Sequence, residues 1–186
     1  MIKQVIKQVF NRLGVDIIPL NRQPTQTLLG LRSLPIRTIM DVGANKGQFA
    51  RYIRGVFPQA KLYCFEPLPG PYQELKSYAE QQGRGLMTTF NMALGEREGE
   101  VEMFLHTEHS PSSSLLATTE LTTQLYPQTK RQEKVNVKLT TLDKVCQQLA
   151  SPLVKEILVK MDVQGYEDRV ISGGKDIFGK ARAVVL

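Results

Sequence analysis

The hydrophobic positions follow two regimes that meet near residue 37. Before it, Ile2, Val5, Ile6, Val9, Phe10 and Leu13 recur at helical spacing, with Lys3, Gln4, Lys7 and Arg12 between them. That spacing predicts an amphipathic helix ending near Gly14. Pro19 to Pro35 reads as a linker with a short helical piece near Thr27–Leu31. From Thr38 onward short apolar runs alternate with helical patterns. Thr38–Val42 predicts a strand, Gln48–Val56 a helix, Lys61–Glu66 a strand, Pro71–Gln82 a helix and Met87–Leu94 a third strand. Gly99–His106 predicts an extra strand. Lys134–Leu139 sets Val135, Val137 and Leu139 against polar neighbours, as a half-exposed strand does. Leu142–Leu149 predicts a short helix, Glu156–Val163 a buried strand, and a helix starts at Glu167. Residues 107–130, rich in Ser, Thr and Gln, read as a long surface loop.

Strands and helices in this rhythm predict an α/β domain with a mostly parallel, doubly wound, Rossmann-like sheet over residues 37–186, preceded by a helix and linker over 1–36. Ala183–Leu186 has the look of a central strand. The expectation is that further strands belong to the sheet and that the chain is truncated at its C-terminus.

Composition narrows the class. The chain has 186 residues, 41% hydrophobic and 23% charged, in the ordinary range for a globular domain. No apolar run reaches the roughly 18–20 residues of a spanning helix, and the N-terminus lacks a signal-peptide pattern. Cys64 and Cys146 match no metal-ligand spacing and read as reduced thiols, so a cytoplasmic protein is expected. The net charge is +6, but Lys3, Lys7, Arg12, Arg22, Arg32 and Arg37 supply most of it against Asp16 alone. The domain itself is close to neutral, which argues against a nucleic-acid substrate. The basic helix is expected to dock on the domain or on a partner subunit, as in a homodimer, or to meet a membrane surface.

The densest chemical signal is Asp41-Val-Gly-Ala-Asn-Lys-Gly47, where the first strand hands over to its helix. Gly43 and Gly47 permit a tight turn and keep Cβ atoms away from a ligand, and the helix start offers free N–H groups. A dinucleotide site wants Gly-x-Gly-x-x-Gly. Here the turn is Gly-x-Asn-x-Gly behind Asp41, and an acid at that entrance suits a cofactor with an ammonium group, such as S-adenosylmethionine, better than a pyrophosphate. Asn45 adds an amide at the same end. Glu66 closes the second strand, where a carboxylate can accept both hydroxyls of a ribose.

With those residues in place, the chain resembles the FkbM-type methyltransferases over roughly residues 37–186. The matching pieces are Asp41–Gly47, Phe65–Pro69, Asn91–Gly95, Ser112–Leu115, Val135–Asp143, Leu158–Glu167 and Gly173-Gly174, in that order. The resemblance implies a class I methyltransferase that binds S-adenosylmethionine and transfers a methyl to a hydroxyl of a sugar, glycan or small metabolite. It implies that Asp41, Gly43 and Asn45 hold the methionine end, Glu66 the ribose, and Asn91 to Ala93 the adenine. Gln164 departs from the family pattern, which has an acid there.

Abstraction of a hydroxyl proton needs a nearby base. Asp162, at the carboxyl end of its strand, is the leading candidate, with Glu167 and His109 behind it. Each has a plainer reading: Asp162 as a turn cap, Glu167 as a first-turn helix acid, His109 as a solvated loop histidine. No spacing calls for a metal. The competing functions are an RNA methyltransferase, a nicotinamide-dependent oxidoreductase and a non-catalytic cofactor-binding module.

Overall fold

The computed structural model describes residues 29–83, 85–106 and 132–186. The amphipathic helix and linker expected over 1–28, the Ser-rich loop and His109 lie outside them. Leu29–Ser33 forms a short 3-10 turn, and the domain described below runs from Leu34 to Leu186. Among the described residues no helix is long and apolar enough to cross a membrane.

The main sheet has five parallel strands in the order β3-β2-β1-β7-β8. These are β1 (Thr38–Val42), β2 (Lys61–Phe65), β3 (Met87–Phe90), β7 (Ile157–Met161) and β8 (Ala181–Val185). The central strand β1 is buried along its whole length, as an apolar run with neighbours on both sides must be. Between the strands lie α1 (Gln48–Val56), α2 (Pro69–Glu80), α3 (Leu142–Gln147), α4 (Glu167–Ser172) and α5 (Lys175–Lys180). Met40, Val42, Tyr63, Phe65, Val159 and Met161 face one side and pack with Leu142, Val145, Val170 and Ile177 of α3, α4 and α5. The alternate positions Ile39, Leu62 and Leu158 are equally buried on the other side, as are Ala50 and Ile53 of α1 and Leu75 of α2. Helices therefore cover both faces, and the α/β, mostly parallel fold agrees with the sequence expectation.

A second sheet of three strands, in the order β4-β6-β5, stands beside the first. It comprises β4 (Ala93–Leu94), β5 (Gly99–His106) and β6 (Gln132–Thr140). β5 and β6 are antiparallel, with Val101 opposite Val137 and Met103 opposite Val135. Their shared face carries a small core of Leu68, Ala93, Met103, Val137 and Leu139, while Lys134, Asn136 and Lys138 face outward, as the alternation predicted.

Several boundaries needed correction. Met87–Leu94 is two strands in two sheets. Asn91 Nδ2 donates to the carbonyls of Glu66 and Pro67, each at 2.9 Å, and the chain turns there to pair with β6. The helix after Glu66 starts at Pro69, where proline's fixed φ and missing N–H suit a first turn. The helix from Glu167 is two helices broken at Gly173-Gly174. A Cβ on Gly173 would lie 1.9 Å from the Gly95 carbonyl oxygen, so the break is where α4 meets the end of β4. β8 has alternating burial and lies at the edge of the described sheet, with Val184 46% exposed.

Candidate functional site

The strand order reverses between β1 and β7: β2 and β3 lie to one side, β8 to the other. In open α/β sheets such a reversal opens a crevice at the carboxyl ends of the strands. Here it is a cavity of about 260 Å³. Its apolar wall is formed by Phe65, Leu68, Met92, Leu94 and Met103, and its polar side by Asn45, Glu66, Lys160 and Asp162.

The turn between β1 and α1 builds the floor. The N–H groups of Gly43 and Ala44 both donate to the Phe65 carbonyl, at 3.1 and 2.9 Å, which fastens the turn to β2. Asn45 has φ +48, a left-handed conformation that asparagine tolerates better than most residues. This turns its N–H toward Glu66 Oε2, at 2.8 Å. Glu66 Oε1 accepts from Leu68 N–H, also at 2.8 Å. Its carboxylate is thus held by one backbone donor on each oxygen, and each oxygen keeps a lone pair for a further donor. Burial pushes the Glu66 pKa up to about 6, although the Leu68 and Asn45 N–H groups and Lys160 pull against that rise.

Asp41 corrects the expectation drawn from the sequence. It is wholly buried and does not line the cavity. Lys160 Nζ lies 3.1 Å from its Oδ1, an ion-pair distance. The ammonium's hydrogen bonds go to the carbonyls of Gly43 at 2.8 Å and Val42 at 3.4 Å, and among the described residues neither Asp41 oxygen receives a well-directed hydrogen bond. Burial raises the Asp41 pKa, against the pull of Lys160. The group that reaches the cavity is therefore Lys160, and the entrance is not a bare negative charge.

The glycines are also explained differently from the sequence reading. Gly43 lines the cavity with φ +72, but a Cβ there would fall 2.1 Å from the Asp162 carbonyl oxygen. It is needed because the chain leaving β7 at Asp162 closes against the turn. Gly47, φ +84, begins α1, and its Cβ would meet Leu75 Cδ1 at 2.9 Å. It stands outside the cavity wall.

The remaining candidates divide. Ala93 is buried and lines the cavity, whereas Asn91 is exposed and braces the end of β2 through its two hydrogen bonds. Asp162 lines the cavity, and its Oδ1 accepts from Gln164 Nε2 at 2.6 Å. Glu167 does not line it; its Oε1 accepts from Val163 N–H at 3.2 Å and steadies the turn before α4. Glu167 also stands in the first turn of α4, where the plainer reading places it. The sequence reading assigned no role to Lys160, although a lone cation within the apolar run Ile157–Met161 was the available signal. It also left out Met103, which reaches the cavity only because the second sheet folds over.

The methyltransferase FkbM domain matches residues 41–186. The chain is 28% identical over 175 residues to the 2-O-methyltransferase NoeI of Sinorhizobium fredii, covering 88% of this chain and 70% of that protein. It is 24% identical over 146 residues to Methyltransferase 1 of Beauveria bassiana, covering 74% of this chain and 58% of that one. The crystal structure of methyltransferase FkbM from Methylobacillus flagellatus aligns with a TM-score of 0.48 and 15% identity over 76% of this chain, which spans 29% of that structure. By the extent of the domain match, the chain belongs to the FkbM methyltransferase family.

Proposed function

We propose that this domain binds S-adenosylmethionine at the switch-point cavity and transfers its methyl to a hydroxyl of a sugar, glycan or small metabolite. Members of the family generally use that donor. The observation that carries the reading is Glu66. It is a carboxylate at the carboxyl end of β2, at the cavity wall, held in place by two backbone N–H groups and keeping acceptor capacity for vicinal hydroxyls. Phe65, Leu68, Met92 and Leu94 beside it suit a flat apolar ligand part. The relative named for 2-O-methyl transfer supports oxygen as the accepting atom.

When bound, the donor supplies an electrophilic methyl, whose bond to sulfur breaks with the electron pair returning to sulfur. The protein's task is to place the acceptor oxygen about 3–3.5 Å from that carbon and to remove the hydroxyl proton. Asp162 is the cavity carboxylate available for the proton. The Gln164 amide donates to its Oδ1, which leaves Oδ2 to receive it. Glu66 and Asp162 supply the negative charge that offsets a cationic donor, since Asp41 is already paired with Lys160.

The test is incubation with methyl-labelled S-adenosylmethionine and a panel of sugars, glycolipids and small hydroxylated metabolites, read by mass spectrometry. A labelled O-methyl product that disappears in Asp162→Asn supports the reading. Label on nitrogen or on RNA, or no binding of S-adenosylhomocysteine, refutes it.

A further inference from the structure

We propose that Lys160 is a positioning residue of the donor site, acting through Asp41: its ammonium joins a buried carboxylate to the turn that holds Glu66. The proposal rests on the donor reading above and adds a residue to it.

Three oxygens converge on Lys160 Nζ. They are Asp41 Oδ1 at 3.1 Å, the Gly43 carbonyl at 2.8 Å and the Val42 carbonyl at 3.4 Å. All belong to the end of β1 and the first residue of the turn. Two residues further on, the Asn45 N–H meets Glu66. A cation placed here ties the strand end, the turn and β7 together at one point.

Asp41 needs that cation. Its side chain has no exposed surface, against 12% for Lys160, and no described group donates a well-directed hydrogen bond to it. A buried charge is tolerated only when paired, and removing one partner leaves the other uncompensated. The other ionisable groups that act on Asp41 or its surroundings do not replace Lys160. Asp162 repels it, and Glu66 at the end of β2 is also acidic. Cys64 on β2 is a thiol that burial holds in its neutral form. Arg54 on α1 spends its two terminal nitrogens on the carbonyls of Pro58, Ala60 and Leu86.

Lys160 also lines the cavity. A positively charged donor therefore meets a neutral pair at the floor and finds its counter-charges at Glu66 and Asp162. Loss of Lys160 leaves Asp41 an unpaired buried charge that pulls the turn out of shape and misplaces Asn45 and Glu66, a distortion relieved where Asp41 takes up a proton.

The experiment is calorimetric titration of S-adenosylhomocysteine into wild type, Lys160→Met, Asp41→Asn and the double variant from pH 6.5 to 9, with thermal unfolding of each. Lys160→Met is expected to weaken binding by about tenfold or more at pH 7 and to make affinity vary more steeply with pH than in wild type. The double variant, which has no buried charge, is expected to bind at least about fivefold better than the product of the single losses allows. Wild-type affinity in Lys160→Met, or losses that simply multiply, overturns the proposal. Should Lys160→Met fail to fold, the double variant decides. Recovery of the fold with binding within about tenfold of wild type supports the pairing, and a double variant that neither folds nor binds overturns it. A wild type that binds no S-adenosylhomocysteine defeats the donor reading and this proposal together. A wild type that binds alongside an unaffected Lys160→Met defeats only the role of Lys160.

Discussion

Gly43 and Glu66 show what single residues do here. A side chain at Gly43 would require a left-handed backbone and would press a Cβ to within 2.1 Å of the Asp162 carbonyl. Gly43→Ala is expected to cost about 2–4 kcal/mol, from strain and overpacking combined. Urea unfolding would show it as a lower midpoint with an unchanged slope. Glu66 links stability to pH. Its folded-state pKa of about 6 stands above the ordinary 4.5, so between those values the folded chain holds more protons than the unfolded one. This group's contribution to stability therefore falls as pH rises through that window, by about 2 kcal/mol in all, and stays low above it. The difference in unfolding free energy between wild type and Glu66→Gln, measured from pH 4 to 7.5, is expected to narrow by that amount in favour of the variant. A ligand that donates hydrogen bonds to the ionised carboxylate favours its charged form, so S-adenosylhomocysteine affinity is expected to rise over about the same pH range. A flat affinity profile would remove Glu66 from the binding site.

Among the elements, most strands and helices were legible as periodicity, because burial on one or both faces imposes it. Central β1 read correctly as a continuous apolar run, and β6 as an alternating one. The failures share a cause. The run Met87–Leu94 has no Gly or Pro to divide it, only Asn91, and the division arises because Asn91 finds two carbonyls at the end of β2. The helix pair α4 and α5 divides where Gly173 must approach Gly95. Neither partner is near in sequence. Helix α5 depends on such a distant contact as well: Asp143 of α3 accepts from the N–H groups of Asp176 and Ile177, at 3.0 and 3.1 Å. Asp143→Ala is expected to destabilise the domain by about 1–2 kcal/mol, while Asp143→Asn, which keeps one of the two acceptor oxygens, should cost less. Equal losses in the two variants, measured by denaturant unfolding, would show that the cap contributes little.

For the whole molecule, the reversal of strand order decides where the crevice opens, and the second sheet decides how much of the cavity is walled. If the site binds the family's donor product, S-adenosylhomocysteine at about 100 times its Kd adds roughly 2.7 kcal/mol to the folded state, and for a domain of this size that corresponds to about 5–10 °C in Tm. NAD is expected to give no shift, because no glycine-rich pyrophosphate cradle is present at this turn. A shift with NAD and none with S-adenosylhomocysteine would reverse the assignment.

The one-dimensional chain was enough for the α/β class, the strand-to-helix turn at Asp41–Gly47, the acid at Glu66 and the family, since each is written in local spacing and residue type. It could not settle which charges face the cavity. Asp41 was legible as an acid at a ligand-binding turn, yet only the pairing of β1 with β7 brings Lys160 against it and buries the two together. Gly43 lines the cavity, yet its missing Cβ also makes room for Asp162, as that of Gly47 does for Leu75. Local pattern reports how a residue relates to its own element, while electrostatic environment and close packing depend on groups from tens to more than a hundred positions away. Tertiary structure alone brings those groups within a few ångströms.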